Sequence, residues 1–416
     1  MNNTVYKNNR EKLMKTIEDN SIVILFAGNA PKKSADEAYQ FTPNRNFYYF
    51  TGIEEEEHIA VFTKINGEVK EYIYLKEIDE EMERWVGKSL RTNEASEISG
   101  IENAAYKDGF ELFLNRLFSG VDEMNVYLDM ERDSFNSLNN IVGVFAKDLV
   151  RKYPFLRIKN VYPRIVPLRK VKTKEEIEEM QKAIKITIEG VNSLMKNAKA
   201  GMKEYELEAY FDFVCKKDGA KDFAFKTIAA AGKNAATLHY VDNNSEMKDG
   251  DLILFDLGAQ WNYYNADITR TFPVNGKFTK RQKEVYEAVL RVNEECIKML
   301  KPGVKFLEWN KQARDMIAEE CIKLGLIDKK EDVTKYYWHS IGHGLGLDTH
   351  DIDRPDRNTV FEEGMVWTVE PGIYIEEESI GIRIEDDVLI TKDGSEVLTK
   401  DMIKSVEDIE EFMSEK

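Results

Sequence analysis

Residues 251–272 read DLILFDLGAQWNYYNADITRTF, and the fold of the C-terminal half turns on how they are paired. Leu252–Phe255 is an apolar run suited to a buried strand, and it runs straight into an acid, Asp256. A second acid, Asp267, opens the run Asp267–Phe272, which alternates polar and apolar residues as a half-buried strand does. A hairpin with a two-residue loop at Trp261-Asn262 would set Asp256 directly opposite Asp267. Side chains opposite each other on one face have Cβ atoms about 4.5–5.5 Å apart. Two carboxylates that close repel unless a proton or a cation lies between them. The hairpin therefore predicts a metal site.

The chain has 416 residues, enough for two domains with full cores. With 42% hydrophobic and 32% charged residues the composition is that of a soluble globular protein. A net charge of −17 argues against nucleic acid as a partner, because phosphates require a basic surface. The three cysteines, Cys215, Cys296 and Cys321, lack metal-type spacing and suit a reducing cytosol, with Cys296 and Cys321 in helical patterns that predict a core position. The N-terminus reads as a capped amphipathic helix without a signal-peptide core, and no apolar run approaches the ~18–20 residues that cross a bilayer. These features predict a cytoplasmic protein with no membrane association.

Upstream, strand-like runs at Ser21–Ala27, Asn46–Thr51, His58–Ile65, Glu71–Leu75 and Met124–Asp129 alternate with helical patterns at Ile78–Val86 and Asp133–Lys152. That alternation predicts an α/β domain with an open, mixed sheet. The aromatic stretch Ser34–Ile53 reads as a core strand, Phe47–Phe50, ended by a turn at Gly52; the competing reading projects Asn44, Arg45 and the tyrosines into a cleft. His58 reads as a surface histidine. The segment Val161–Lys172 holds two prolines and a basic cluster without helical period, which predicts a linker and a boundary between domains 1–163 and 164–416. Thr173 through Glu176 fits a capping box, with a long helix following to about Ala198.

The second part carries a faint repeat. Ala200–Ala220 and Pro302–Leu326 share a Gly-x-Lys opening followed by an amphipathic helix ending at glycine, which predicts two related α/β halves facing each other. Chance helical similarity is the competing explanation.

Three of the five histidines fall in WHSIGHGLGLDTHD (338–351), at His339, His343 and His350, among glycines that let backbone approach closely. Imidazole is a ligand for borderline divalent metals and a group for proton transfer. Two further acids lie in apolar strand contexts: Glu370 ends Met365–Val369, and Glu385 shares a strand face with Arg383. Asp256, Asp267, Glu370 and Glu385 with His343 make four carboxylates and one imidazole in apolar surroundings. Burying them without cations would cost more than a fold can offset, and two divalent ions bridged by carboxylates would neutralise them.

The motifs LHYVDNN (238–244), DLGAQWNYYNADITRTFPVNGKFT (256–279), HSIGHGLGLDTHD (339–351), TVEPGIYI (368–375) and GIRIEDDVLIT (381–391) resemble those of the pita-bread (creatinase/aminopeptidase-like) metallopeptidases, in their Xaa-Pro aminopeptidase (aminopeptidase P) branch. SADEAYQFTPNRNFYYFTG (34–52) resembles the signature of that branch's N-terminal domain, except that Phe41-Thr42 stands where phenylalanine-arginine is usual, which puts the N-domain rim of the site in doubt. The resemblance implies α/β (α+β) architecture: a mixed-sheet N-terminal domain, then a pita-bread catalytic domain. It implies two metal ions, manganese first with cobalt or zinc as substitutes. Asp256 would bind one ion, Asp267 and Glu385 bridge, and His343 and Glu370 complete the other. A bridging hydroxide would attack the amide before a proline in the second position of a peptide substrate. Glu370 would accept the proton, His350 polarise the carbonyl, His239 hold the substrate and His339 line the proline pocket, with Tyr374 and Arg383 behind them. The resemblance further implies a homodimer or homotetramer. Prolidase, a dipeptidase on the same scaffold, is the nearest alternative; a binding homologue without catalysis is a second, and a metal-free hydrolase is disfavoured by the filled ligand positions.

Overall fold

Six consecutive buried residues, Ser21–Phe26, form the central strand of the N-terminal part of a computed structural model that describes residues 1–131, 140–352 and 358–415. The chain divides into two compact units, Met1–Leu168 and Arg169–Lys416.

In the first unit a six-stranded sheet runs Asn103–Tyr106, Glu68–Leu75, Ile59–Ile65, Ser21–Phe26, Met124–Leu128, Leu156–Asn160. Ser21–Phe26 is antiparallel to Ile59–Ile65 and parallel to Met124–Leu128, so the sheet is mixed, as expected. Ile22, Ile24, Val61, Val126 and Leu128 pack with Phe118 in its core. Three expectations are corrected here. Asn46–Thr51 lies in a helix, Arg45–Thr51, rather than a strand. Asn44 caps it by accepting the Phe47 N–H at 2.9 Å, Gly52 ends it at φ 69°, and these two signals outweigh the β propensity of the aromatics between them. His58 is buried, not at the surface: its Nδ1 lies 2.7 Å from the Glu56 carbonyl oxygen, and burial holds the imidazole down to about 4, hence neutral. The proline-containing segment expected to lack helix forms one, Tyr162–Lys170. Pro163 sits in its first turn, where a missing N–H costs nothing, and only Pro167 forgoes an internal bond. The helical pattern at Asp133–Lys152 is realised as Ile141–Lys152, capped by Asn140; residues 132–139 lie outside the described residues.

The second unit opens with the helix Lys174–Asn197, whose Thr173–Glu176 capping box is formed. The repeat is present as a shared hydrogen-bond pattern. Gly201 N–H donates to Met247 O, Met247 N–H to Met202 O and Glu204 N–H to Ser245 O. The same three bonds recur as Gly303 to Phe361, Phe361 to Val304 and Phe306 to Thr359. Gly201 and Gly303 both have positive φ, 89° and 86°, which lets the chain turn into the helices Glu204–Lys217 and Phe306–Lys323. A strand follows each: Leu252–Leu257 lies between Ile228–Ala231 and Ile268–Pro273, and Val366–Val369 pairs with Asp386–Ile390. The hairpin Gly372–Ile375 with Ile380–Arg383 completes the elements around the acids.

The decisive hairpin forms, with one correction. Its turn is Asn262-Tyr263, closed by Trp261 opposite Tyr264, so Asp256 faces Thr269 and not Asp267. Both turn residues have positive φ (47° and 65°), which asparagine at the first place tolerates and a tryptophan there would not. The shift is two residues, so both acids keep the same face and become diagonal neighbours. Between them a Cβ on Gly258 would lie 1.8 Å from the Ala266 carbonyl oxygen. Gly258→Ala should therefore force the strands apart and lower the unfolding free energy by about 1–3 kcal/mol or more. A chemical-denaturation midpoint equal to wild type would contradict this close approach.

Candidate metal centre

Each acid stands at a strand end. Asp256 is the penultimate residue of Leu252–Leu257, Asp267 immediately precedes Ile268–Pro273, Glu370 immediately follows Val366–Val369, and Glu385 separates Ile380–Arg383 from Asp386–Ile390. The histidine loop is zipped to the third of these strands. His343 N–H donates to Thr368 Oγ1 (3.1 Å), Thr368 N–H to His343 O (2.9 Å) and Glu370 N–H to Ile341 O (2.9 Å). Gly342 permits this, since a Cβ there would lie 2.0 Å from Thr368 O. Glu385 is fixed similarly, its N–H donating to Thr269 O at 3.1 Å.

Asp267, His343 and Glu385 each present a donor atom within 4.8 Å of the others. His343 Nε2 lies 3.4 Å from Asp267 Oδ2 and 3.7 Å from Glu370 Oε1, while its Nδ1 faces the Gly344 carbonyl at 3.1 Å. A carbonyl only accepts, so Nδ1 carries the proton and Nε2 turns its lone pair to the acids, the form a metal ligand takes. Asp256 Oδ2 accepts Arg383 at 2.6 Å, leaving Oδ1 buried and without a hydrogen-bond donor among the described residues. These donors fit divalent cations.

Charge makes the same argument. Burial, with Glu385 and Asp256 nearby, pushes the Asp267 carboxyl well above its usual range, and burial with Glu385 does so for Glu370. Burial and Asp256 raise Glu385 to about 8. Arg383 is the cation inside the cluster, and its guanidinium is spent on Asp256, Thr269 Oγ1 (3.1 Å) and Tyr374 OH (3.0 Å). Because Tyr374 accepts from Arg383, its own hydroxyl can donate to His339 Nε2 at 2.8 Å, and His339 Nδ1 donates to Ser340 O at 2.8 Å. Burial and Arg383 hold His339 down to about 3; burial and His350 hold His343 to about 4. His350 stands edge-on to His343 with ring centroids 4.3 Å apart. His239 and His350 share with the acids the lining of one cavity of about 930 Å³.

Several residues that hold this site were not singled out in the sequence. Thr269 joins Glu385 Oε2 (2.6 Å) to Arg383, and Asp387 accepts the Asp267 N–H at 3.2 Å. Thr269, Thr368 and Asp387 each lie two positions from an expected ligand, as Arg383 does, so strand period alone could have found them. Behind His350, buried Asp351 receives Arg169 (2.6 Å) and Lys172 (2.8 Å). Burial pushes its carboxyl up, but Lys172 and Arg169 overcome this and hold it to about 2.

The sequence pattern of metallopeptidase family M24 matches residues 178–392, and that of the aminopeptidase P N-terminal domain matches residues 6–127. The chain belongs to metallopeptidase family M24. The Xaa-Pro aminopeptidase of Escherichia coli is 33% identical, over 98% of this chain and 97% of that protein. A solved Bacillus anthracis chain bearing the aminopeptidase P name superposes with a TM-score of 0.97 at 50% identity, covering 100% of this chain and 99% of that one. Aminopeptidase P from E. coli with the inhibitor Pro-Leu gives 0.91 at 32% identity, covering 100% and 99%. The Xaa-Pro dipeptidase of Pyrococcus furiosus is 33% identical over 95% of this chain and 98% of that protein. The expected architecture thus holds: a mixed-sheet N-terminal domain of the aminopeptidase P type, then a pita-bread metallopeptidase domain that binds divalent metal.

A raised carboxylate makes the metal-free protein pH-sensitive in a defined direction. Between about pH 4.5, where an unfolded glutamate ionises, and about 8, where folded Glu385 does, the folded state holds the extra proton. Stability of metal-free protein should therefore fall as pH rises through that window. Added divalent cation should raise the melting temperature more at pH 8 than at pH 5; an equal rise at both would contradict a carboxylate-held metal.

Proposed function

We propose that the protein releases the first residue from peptides whose second residue is proline. The observation that carries this reading is the full-length likeness to aminopeptidase P together with a buried carboxylate–imidazole cluster that demands cations. Asp256, Asp267, His343, Glu370 and Glu385 would hold the metal ions. An oxygen-rich set with one imidazole suits manganese, with cobalt or zinc as substitutes. Two such cations, when bound, neutralise the acids and acidify a water at neutral pH.

The remaining steps fall to side chains. Once the charges of Glu385 and Asp256 are balanced, Glu370 can ionise and accept the proton of the attacking water. His350 donates a hydrogen bond to the scissile carbonyl oxygen as negative charge develops there. His239 holds the peptide beyond the scissile bond, and His339, braced by Tyr374 and Arg383, lines the proline pocket. The amide before proline is tertiary and has no N–H, so recognition cannot depend on that donor. We place the protein in the cytoplasm, consistent with three buried free cysteines, and as a homodimer or homotetramer. Among the described residues no helix is long and apolar enough to cross a membrane.

Likeness to the P. furiosus dipeptidase keeps a second reading in play, an Xaa-Pro dipeptidase. Manganese-loaded protein given Ala-Pro, Ala-Pro-Ala and Ala-Ala-Ala should release alanine from Ala-Pro-Ala and spare Ala-Ala-Ala. Cleavage of Ala-Pro alone would establish the dipeptidase. Asp267→Ala or Glu385→Ala should lower kcat/KM by about a thousand-fold, the scale of several kcal/mol of lost transition-state stabilisation. Full activity in either variant would overturn the ligand assignment.

A further inference from the structure

The cavity around the acids is lined by two cationic side chains, Arg383 and Lys226. Arg383 is committed to Asp256, Tyr374 and Thr269. Lys226 is exposed and has no hydrogen bond or ion pair among the described residues. Of the two lysine and arginine side chains among the described residues of that lining, Lys226 is therefore the one without a partner, in a cavity it shares with Asp256, Asp267, Glu370 and Glu385 and in a chain of net charge −17. An ammonium held there without a protein partner marks a place for an anionic group of the ligand.

Position says which group. Ile228 pairs with Asp256 across the strands, and Lys226 precedes Ile228 by two residues, so its Cα lies at most roughly 7 Å further along the chain. The segment is fixed rather than free: Ala224 N–H donates to Gly258 O (2.8 Å), and Ala224 O accepts from Thr349 Oγ1 (3.1 Å), next to His350. In an extended peptide, two residues beyond the scissile carbonyl also span roughly 7 Å. The free carboxylate of a dipeptide lies only about half that distance away. A cavity of about 930 Å³ is at the upper end for small-ligand sites and leaves room for a third residue.

We propose that Lys226 is a specificity-determining residue that binds a carboxylate carried by the third residue of the substrate, either the C-terminus of a tripeptide or an acidic side chain. This rests on the Xaa-Pro reading above. A screened, solvent-exposed ion pair gives an effect of roughly two- to five-fold, expressed in KM rather than kcat.

The test compares metal-loaded wild type with Lys226→Met and Lys226→Glu on Ala-Pro-Ala, Ala-Pro-Ala-amide and Ala-Pro-Asp-amide. Wild type should favour Ala-Pro-Ala, Ala-Pro-Asp-amide or both over Ala-Pro-Ala-amide, and the substrate favoured identifies the source of the carboxylate. The ratio of kcat/KM for carboxylate-bearing to neutral substrate should fall toward one in Lys226→Met and below one in Lys226→Glu, through KM. A wild-type ratio of one, or a ratio unchanged in both variants, overturns the assignment while leaving the peptidase reading intact. Failure of wild type to cleave any of the three substrates would instead count against the peptidase reading itself.

Discussion

Mutual repulsion of four carboxylates in an apolar site is the constraint around which the C-terminal unit is built. Asp256, Asp267, Glu370 and Glu385 come from four different strand ends, and nothing about strand formation favours bringing them together. Their neighbourhood is instead a set of fixings that stop them relaxing apart. Gly258 and Gly342 let backbones approach where a Cβ would collide, and Thr269 and Thr368 tie Glu385 and the His343 loop to neighbouring strands. Such preorganisation is what a binding site requires and what a stable apolar core would not select.

The repeat explains how the acids come to converge. Asp256 follows Met247 by nine residues, and Glu370 follows Phe361 by nine, with Met247 and Phe361 holding equivalent places in the two cross-bonded turns. Gly250 and Gly364 take positive φ at matching points between them, 83° and 90°. Each half therefore delivers one carboxylate from the same point of the same supersecondary unit. The halves then diverge: the first adds Asp267 through a tight hairpin, the second adds Glu385 after a longer excursion through Gly372–Arg383.

What could be read from residues alone follows from this construction. The ligand-type residues were legible because acids in apolar strands are costly and conspicuous. The hairpin was legible in its strands and face but not in its register, because the sequence shows alternation while the turn decides the partner. A shift of two residues preserves the face, so Asp256 and Asp267 still line the same cavity. In the N-terminal unit, Phe47–Phe50 carries strand-forming aromatics that a helix buries equally well, and only Asn44 and Gly52 at its ends reveal the choice. His58 reads as a surface histidine in the sequence because burial depends on what packs over it, which no local pattern records. The Asp351–Arg169–Lys172 lock was invisible because its partners are about 180 residues apart.

Charge counting also bears on how many cations the site takes. Asp387 accepts the Asp267 N–H from behind and is not among the residues that line the cavity, so it stands outside the count. The four acids and Arg383 then leave a net charge of −3 in the cluster. One divalent ion would leave −1, a field that opposes both an anionic nucleophile and the oxyanion forming on the substrate. Two would leave +1, a field that favours both. Arg383 thus has a second consequence beyond orienting Asp256. It shifts the balance so that a second cation, if bound, would turn the site from repelling negative charge to attracting it.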